Sequence, residues 1–175
     1  LNKELFWKWW ENHKGNKNYD EWLAVERGDR DVANKSMPSI FYAIRKEDLI
    51  TLNKLMIDKP ELVNQPGEDF MTALMVAAKQ SGDKAVEIIN ILIKNNADVS
   101  AKSKNKQTAL MHAVENWAKQ GEAFVENGKG VGSGEVVRLL VKEGATVDEE
   151  NVYGLTALQL AIKNGGQHAV GMMNF

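Results

Sequence analysis

Apolar residues in this chain come in short clusters at helical spacing, and several of the clusters repeat. Between Lys84 and Asn95, Val86, Ile88, Ile89, Leu92 and Ile93 fall on one broad side of a helix, which predicts an amphipathic helix there. Upstream, Thr72 offers a hydroxyl suited to capping a helix start, and "ALMVAAKQ" continues it with good helix formers. The stretches "NNADV" (95–99) and "EGATV" (143–147) put Asn or Gly where a helix end needs a left-handed residue. The expected unit is a helix pair closed by a turn.

The first-helix phrase recurs. "TALMVA" opens at Thr72, "TALMHA" at Thr108, "TALQLA" at Thr156, and a degenerate "PSIFYA" at Pro38. The steps between them are 34, 36 and 48 residues, and the long step contains Gly121–Gly134, with five glycines in fourteen positions. Removing most of that insertion restores one period, so a single module is used four times. Gly121–Gly134 is expected to be a loop between two helices. The small residues Ala73, Ala77, Ala109, Ala113, Ala157 and Ala161 share one register and would let neighbouring first helices stack closely. Leu110 and Leu158 occupy equivalent positions and are both expected to be buried. One helix pair cannot bury its own apolar face, so the units must stack.

In this phase and wording the chain resembles the ankyrin-repeat family, whose pattern is T-P-L-H-x-A at a period of about 33 residues. The resemblance covers roughly residues 38–175 and implies an all-α solenoid of helix-turn-helix units joined by hairpin-like turns. The units would lie near 38–66, 67–102, 103–150 (with the 121–134 insertion) and 151–175, the last truncated into a terminal cap by "GGQHAVGMMNF". The chain departs from the family in places. Ala follows each full threonine instead of Pro, and Met75, Met111 and Gln159 stand where the family has His, so the usual Thr–His hydrogen bond is absent or altered. Phe70 and Lys106 occupy a turn position where the family prefers Gly, as Gly154 provides, and this implies irregular turns in units two and three.

The first 37 residues lack the phrase. "LNKELFWKWWENH" carries Leu5, Phe6, Trp9 and Trp10, and "YDEWLAVERG" ends at Gly28 about where an extra second helix would precede the first unit. This region is expected to be a helical N-terminal cap, because an end repeat needs its open face covered.

Composition narrows the chemistry. A net charge of −2 and a pI near 6.0 give no electrostatic reason for a nucleic-acid partner. There is no cysteine, which excludes disulfides and thiolate chemistry, and no run of about 18 apolar residues that would span a membrane. The chain starts at Leu1, as a trimmed protein or the mature part of an exported one would, so a cytoplasmic and an exported location both fit. Trp7, Trp9, Trp10 and Trp22 are expected to cover the solenoid end; the alternative is a membrane-peripheral anchor. The loop "NGKGVGSGE" suggests an anion cradle, but Gly130 follows Lys129 and no strand precedes it, so it fails the phosphate-loop pattern; nucleotide or anion binding there is the second alternative. His13, His112 and His168 are scattered. His112 and Glu115 lie three apart, yet two ligands do not make a metal site, and His112 is expected on the surface or the groove wall. "RGD" (27–29) is a chance match, and "NKS" at Asn34 is a glycosylation acceptor only in a secreted eukaryotic chain. No cofactor, metal or catalytic set is expected.

What the resemblance implies about function is protein binding. In ankyrin proteins the turn tips and the exposed ends of the first helices line a concave groove. Carried over by position, these are Lys35, Met37, Arg45 and Lys46 in the first unit and Glu68, Asp69, Met71, Lys79 and Gln80 in the second. The third supplies Lys104, Asn105, Gln107, Glu115 and Asn116, and the fourth Val152, Tyr153, Leu155, Lys163 and Asn164. Basic residues outnumber acidic ones in this set, favouring an acidic partner, and Tyr153 with Leu155 is the expected hot spot. The expected role is that of a non-catalytic module, monomeric alone, acting as an inhibitor or immunity-type protein, a scaffold or an effector.

Overall fold

The structure is a computed structural model that describes residues 39–120 and 133–165. The expected N-terminal cap, with Lys35 and Met37, most of the glycine-rich insertion, and the expected C-terminal cap from residue 166 onward lie outside the described residues. Within them the regular structure is helical throughout, with no strand. The first unit pairs α1 (Ser39–Arg45) with α2 (Leu49–Asp58), and 3₁₀ turns follow at Pro60–Asn64 and Glu68–Phe70. The second unit pairs α3 (Ala73–Ala78) with α4 (Asp83–Lys94), and the third pairs α5 (Ala109–Gln120) with α6 (Ser133–Lys142). The fourth unit begins with α7 (Ala157–Gly165).

The repeated threonines start the first helices as their chemistry requires. Thr72 Oγ1 accepts from Met75 N and Thr108 Oγ1 from Met111 N, each at 3.3 Å, so one orphan donor of each helix is satisfied. In α7 the bond is reciprocal. Gln159 N donates to Thr156 Oγ1 at 3.4 Å, and Thr156 N donates back to Gln159 Oε1 at 2.9 Å, forming a capping box. Gln159 thus works as a cap where the family has His, whereas Met75 and Met111 go into the core.

Helix ends also share one device. Glu47, Asn96 and Gly144 all have positive φ, and the next residue's N–H reaches back to Ala43 O, Leu92 O and Leu140 O at 2.8, 3.0 and 2.9 Å. This is the Schellman arrangement, which satisfies carbonyls that a helix end would leave open.

First helices pack in the order α1, α3, α5, α7, and second helices in the order α2, α4, α6. Ala73, Ala77, Ala109, Ala113, Ala157 and Ala161 are all buried between them, which explains why only a small residue recurs there. The core runs along the stack through Ile40, Ile44, Leu52, Leu74, Ile88, Leu92, Leu110 and Leu140. Asn64 adds a polar tie between the first two units: its Nδ2 donates to Asn96 O and its Oδ1 accepts from Asp98 N, both at 2.8 Å.

Three expectations are corrected. Leu158 is 42% exposed, unlike Leu110, which is buried. The reason is architectural: α3 and α5 each pack against a second helix of their own unit, and α7 has none among the described residues. The turn of unit three is regular. Lys106 takes the left-handed φ of 55° that Gly154 takes at 67°, and both turns close with the same bonds, Lys106 N to Ser103 O and Gly154 N to Asn151 O. Only unit two differs, with consecutive left-handed residues Asp69 and Phe70 inside its 3₁₀ turn. Finally, Ser133 and Gly134 belong to α6, so the end of the expected loop is helical.

Candidate partner-binding face

Each turn tip precedes a first helix, and backbone bonds join the tips in one row. Lys104 N donates to Asp69 O at 2.8 Å, and Val152 N donates to Asn105 O at 3.0 Å. Asp69, Asn105 and Tyr153 therefore occupy equivalent places on three successive tips. Within each tip the residue five before the threonine bonds to the one just before it: Gly67 N to Met71 O, Ser103 N to Gln107 O and Asn151 N to Leu155 O, at 2.8–3.1 Å.

A polar side chain that sequence reading missed holds the fourth tip. Asn151 is buried, and its Oδ1 accepts from Tyr153 N at 2.9 Å and Leu155 N at 3.1 Å. Ser103 fills the same position in unit three, where its Oγ accepts from Gln107 N at 3.2 Å. The signal was present as two short polar residues at one register, ahead of the threonines. With its backbone fixed in this way, Tyr153 stands 77% exposed beside Val152 at 48%.

The expected face sorts into four groups. Glu68, Asp69, Lys104, Asn105, Val152 and Tyr153 are exposed at the tips, and Lys104 Nζ lies 3.5 Å from Asp69 Oδ1 in an exposed pair of little energetic weight. Arg45, Lys46, Lys79, Lys163 and Asn164 are exposed at the ends of first helices, with Lys46 Nζ 6.0 Å from the centroid of the Tyr42 ring. Gln107 Nε2 donates to Glu115 Oε1 at 3.2 Å, linking tip and helix in unit three. The last group is structural. Met71 and Leu155 pack partly against the core. Gln80 Nε2 donates to Ile44 O at 2.9 Å, and Asn116 Nδ2 to Gln80 O at 2.8 Å, so these two amides clamp the second and third units to the ones before them.

His112 lies among these residues, and its place differs from the surface or groove-wall position expected of it. It is buried, and neither ring nitrogen has a hydrogen-bond partner. Burial, with Lys79 and Lys119 adding repulsion, lowers its pKa from 6.5 to about 4, so the ring is neutral at pH 7. Glu115 Oε2 comes within 3.9 Å of Nδ1, too far for a hydrogen bond, and with a neutral ring the approach is no ion pair. Lys79, at the end of α3, and Lys119, in the last turn of α5, both act on the His112 imidazole. Lys119, absent from the expected set, is exposed in the last turn of α5, which has 12 residues where α3 has 6. Among the described residues Lys79, Lys119 and Lys163 form no ion pair.

Among the described residues no group of three His, Asp or Glu side chains is placed to hold a metal ion, and no helix is long and apolar enough to cross a membrane. A family model described as ankyrin repeats (3 copies) matches residues 40–128, from α1 through α5 and into the insertion. No curated protein matches the chain to a meaningful degree.

Proposed function

The chain belongs to the ankyrin-repeat family, whose repeats generally serve protein–protein interaction, and we propose that it is a non-catalytic module holding a partner protein on its turn tips and first-helix ends. The observation that carries this reading is the exposed Tyr153–Val152 pair on a rigid tip, in a stack whose first-helix ends carry Lys79, Lys119 and Lys163, which form no ion pair among the described residues. Aromatic side chains held rigidly lose little entropy on binding and dominate interface energies. Lysines at the first-helix ends suit an acidic segment of the partner. Such a face works by occupying or tethering its partner, as a small inhibitor, an immunity-type protein or a scaffold would.

The test is to capture the partner from the source cell with the whole chain and measure affinities of single variants for it. Tyr153→Ala should weaken binding by roughly 2 kcal/mol or more, about 30-fold, without changing the melting temperature. Glu87→Ala and Arg138→Ala are controls, since both residues are exposed on second helices. Loss of binding in the controls with none in Tyr153→Ala would move the interface to the opposite side and overturn the reading.

A further inference from the structure

Ile50 and Ile57 are 85% and 81% exposed on α2, seven residues apart and therefore on one side of the helix. The repeat shows what normally happens at these positions. Their equivalents are Val86 and Ile93 in α4, and Gly134 and Val141 in α6, all buried or half-buried. The position between them is Asn53 in α2, exposed, but Ile89 in α4 and Val137 in α6, both in the core. Among the described residues, units two and three have a unit stacked before them and unit one has none. This side of a second helix is thus the side that the preceding unit covers. An end repeat is expected to present a polar outer face, and α2 instead presents two isoleucines, as an interior unit would.

The sequence ahead of α1 contains a match for a preceding second helix. Met56, Leu92 and Leu140 stand sixteen residues before Thr72, Thr108 and Thr156, and all three are buried. Sixteen residues before Pro38 is Trp22, within "YDEWLAVERG". Leu23 likewise falls at the register of Ile57, Ile93 and Val141. The connection back to the repeat phrase therefore has the length found in every other unit. We propose that the Ile50–Ile57 side of α2 is the seat of this chain's own Tyr19–Gly28 segment, anchored by Trp22. Burial of two isoleucines and a tryptophan would tie the start of the chain to the stack.

The chain has no cysteine, so single introduced thiols report this directly. Asn53→Cys, between the two isoleucines, is compared in the full chain with Glu87→Cys, on an exposed position of α4. The rate of reaction with a small thiol reagent is measured at several protein concentrations under native conditions. Docking predicts that the thiol at position 53 reacts at least tenfold more slowly than the one at position 87, independently of protein concentration. Adding Trp22→Ala should bring the Asn53→Cys variant to the control rate while circular dichroism shows the helices retained. If that double variant loses its helices, Trp22→Phe provides the second arm and should give an intermediate rate. Equal rates for the two thiols in the chain with Trp22 intact would overturn the proposal. Protection that survives Trp22→Ala would also overturn it, and protection that grows with protein concentration would assign the face to a second copy of the chain.

Discussion

His112 shows how one residue can oppose the fold that holds it. The same register carries Tyr42, Val76 and Leu160 in the other units, and only unit three buries a titratable group there. Its folded-state pKa, about 4, lies below the unfolded value of 6.5, so the unfolded chain binds the proton first. Stability is complete above about pH 6.5, falls as pH drops through the interval down to about 4, and levels off below it. The full shift corresponds to about 3 kcal/mol, of which about 2 kcal/mol is lost between pH 7 and pH 5. His112→Leu, which copies the residue at the equivalent position Leu160, removes both unpartnered nitrogens and the titration. Chemical denaturation at pH 7 and pH 5 should show the variant more stable at pH 7, with about 2 kcal/mol less loss between the two. An equal loss in both proteins would mean that His112 finds a proton partner in the fold. This burial was not legible beforehand, because an imidazole in "TALMHAV" reads as equally suited to a wet surface.

Elements were more legible than residues, and one pair of leucines shows where legibility ended. Thr72, Thr108 and Thr156 marked the helix starts because a hydroxyl cap acts locally, within three residues. Asn96 and Gly144 marked the ends for the same reason. Local rules could not see partners from another unit. Gln80 and Asn116 looked like binding residues, yet each reaches a carbonyl 36 residues back in the chain. Leu158 repeats the sequence context of Leu110 but lacks a second helix packed over it among the described residues. Leu110→Ala should therefore cost roughly 2–5 kcal/mol through lost packing and a residual cavity. Leu158→Ala should cost about 1 kcal/mol or less, since the side chain is already partly in water. Urea denaturation midpoints of the two variants check this. Equal costs would show that Leu158 is covered in solution. Lys106 taught a similar lesson about turns: hydrogen bonds to Ser103 and the adjoining tips hold it left-handed, although glycine would adopt that φ at lower cost.

For the molecule as a whole, the distribution of charge matters more than its sum. The net charge is only −2, so no strong overall field draws a partner in. Some charges away from the candidate face are paired, Lys84 with Glu47 at 3.4 Å, Lys102 with Glu149 at 2.6 Å and Arg138 with Glu135 at 3.3 Å, whereas the exposed Lys54, Lys94 and Lys142 of the second helices form no ion pair among the described residues. Lys79, Lys119 and Lys163 have no such partners among the described residues. Lys79 and Lys119 each lower the pKa of the same imidazole. Lys79, Lys119 and Lys163 thus leave positive charge near the ends of the first helices. Exposed charges of this kind act mainly on the approach of two proteins, whereas a buried aromatic acts on how long they stay together. The two contributions to binding should separate kinetically. Reversing all three lysines to Glu should slow association with the captured partner about tenfold or more at low salt, leaving dissociation nearly unchanged. The difference should shrink as ionic strength rises and the Debye length shortens. Tyr153→Ala should do the reverse, speeding dissociation with association little altered and little dependence on salt. Surface plasmon resonance across a salt series distinguishes these outcomes. Association that ignores both salt and the lysine reversals would show that these three lysines do not face the partner, and that the acidic-partner reading is wrong even if Tyr153 remains its anchor.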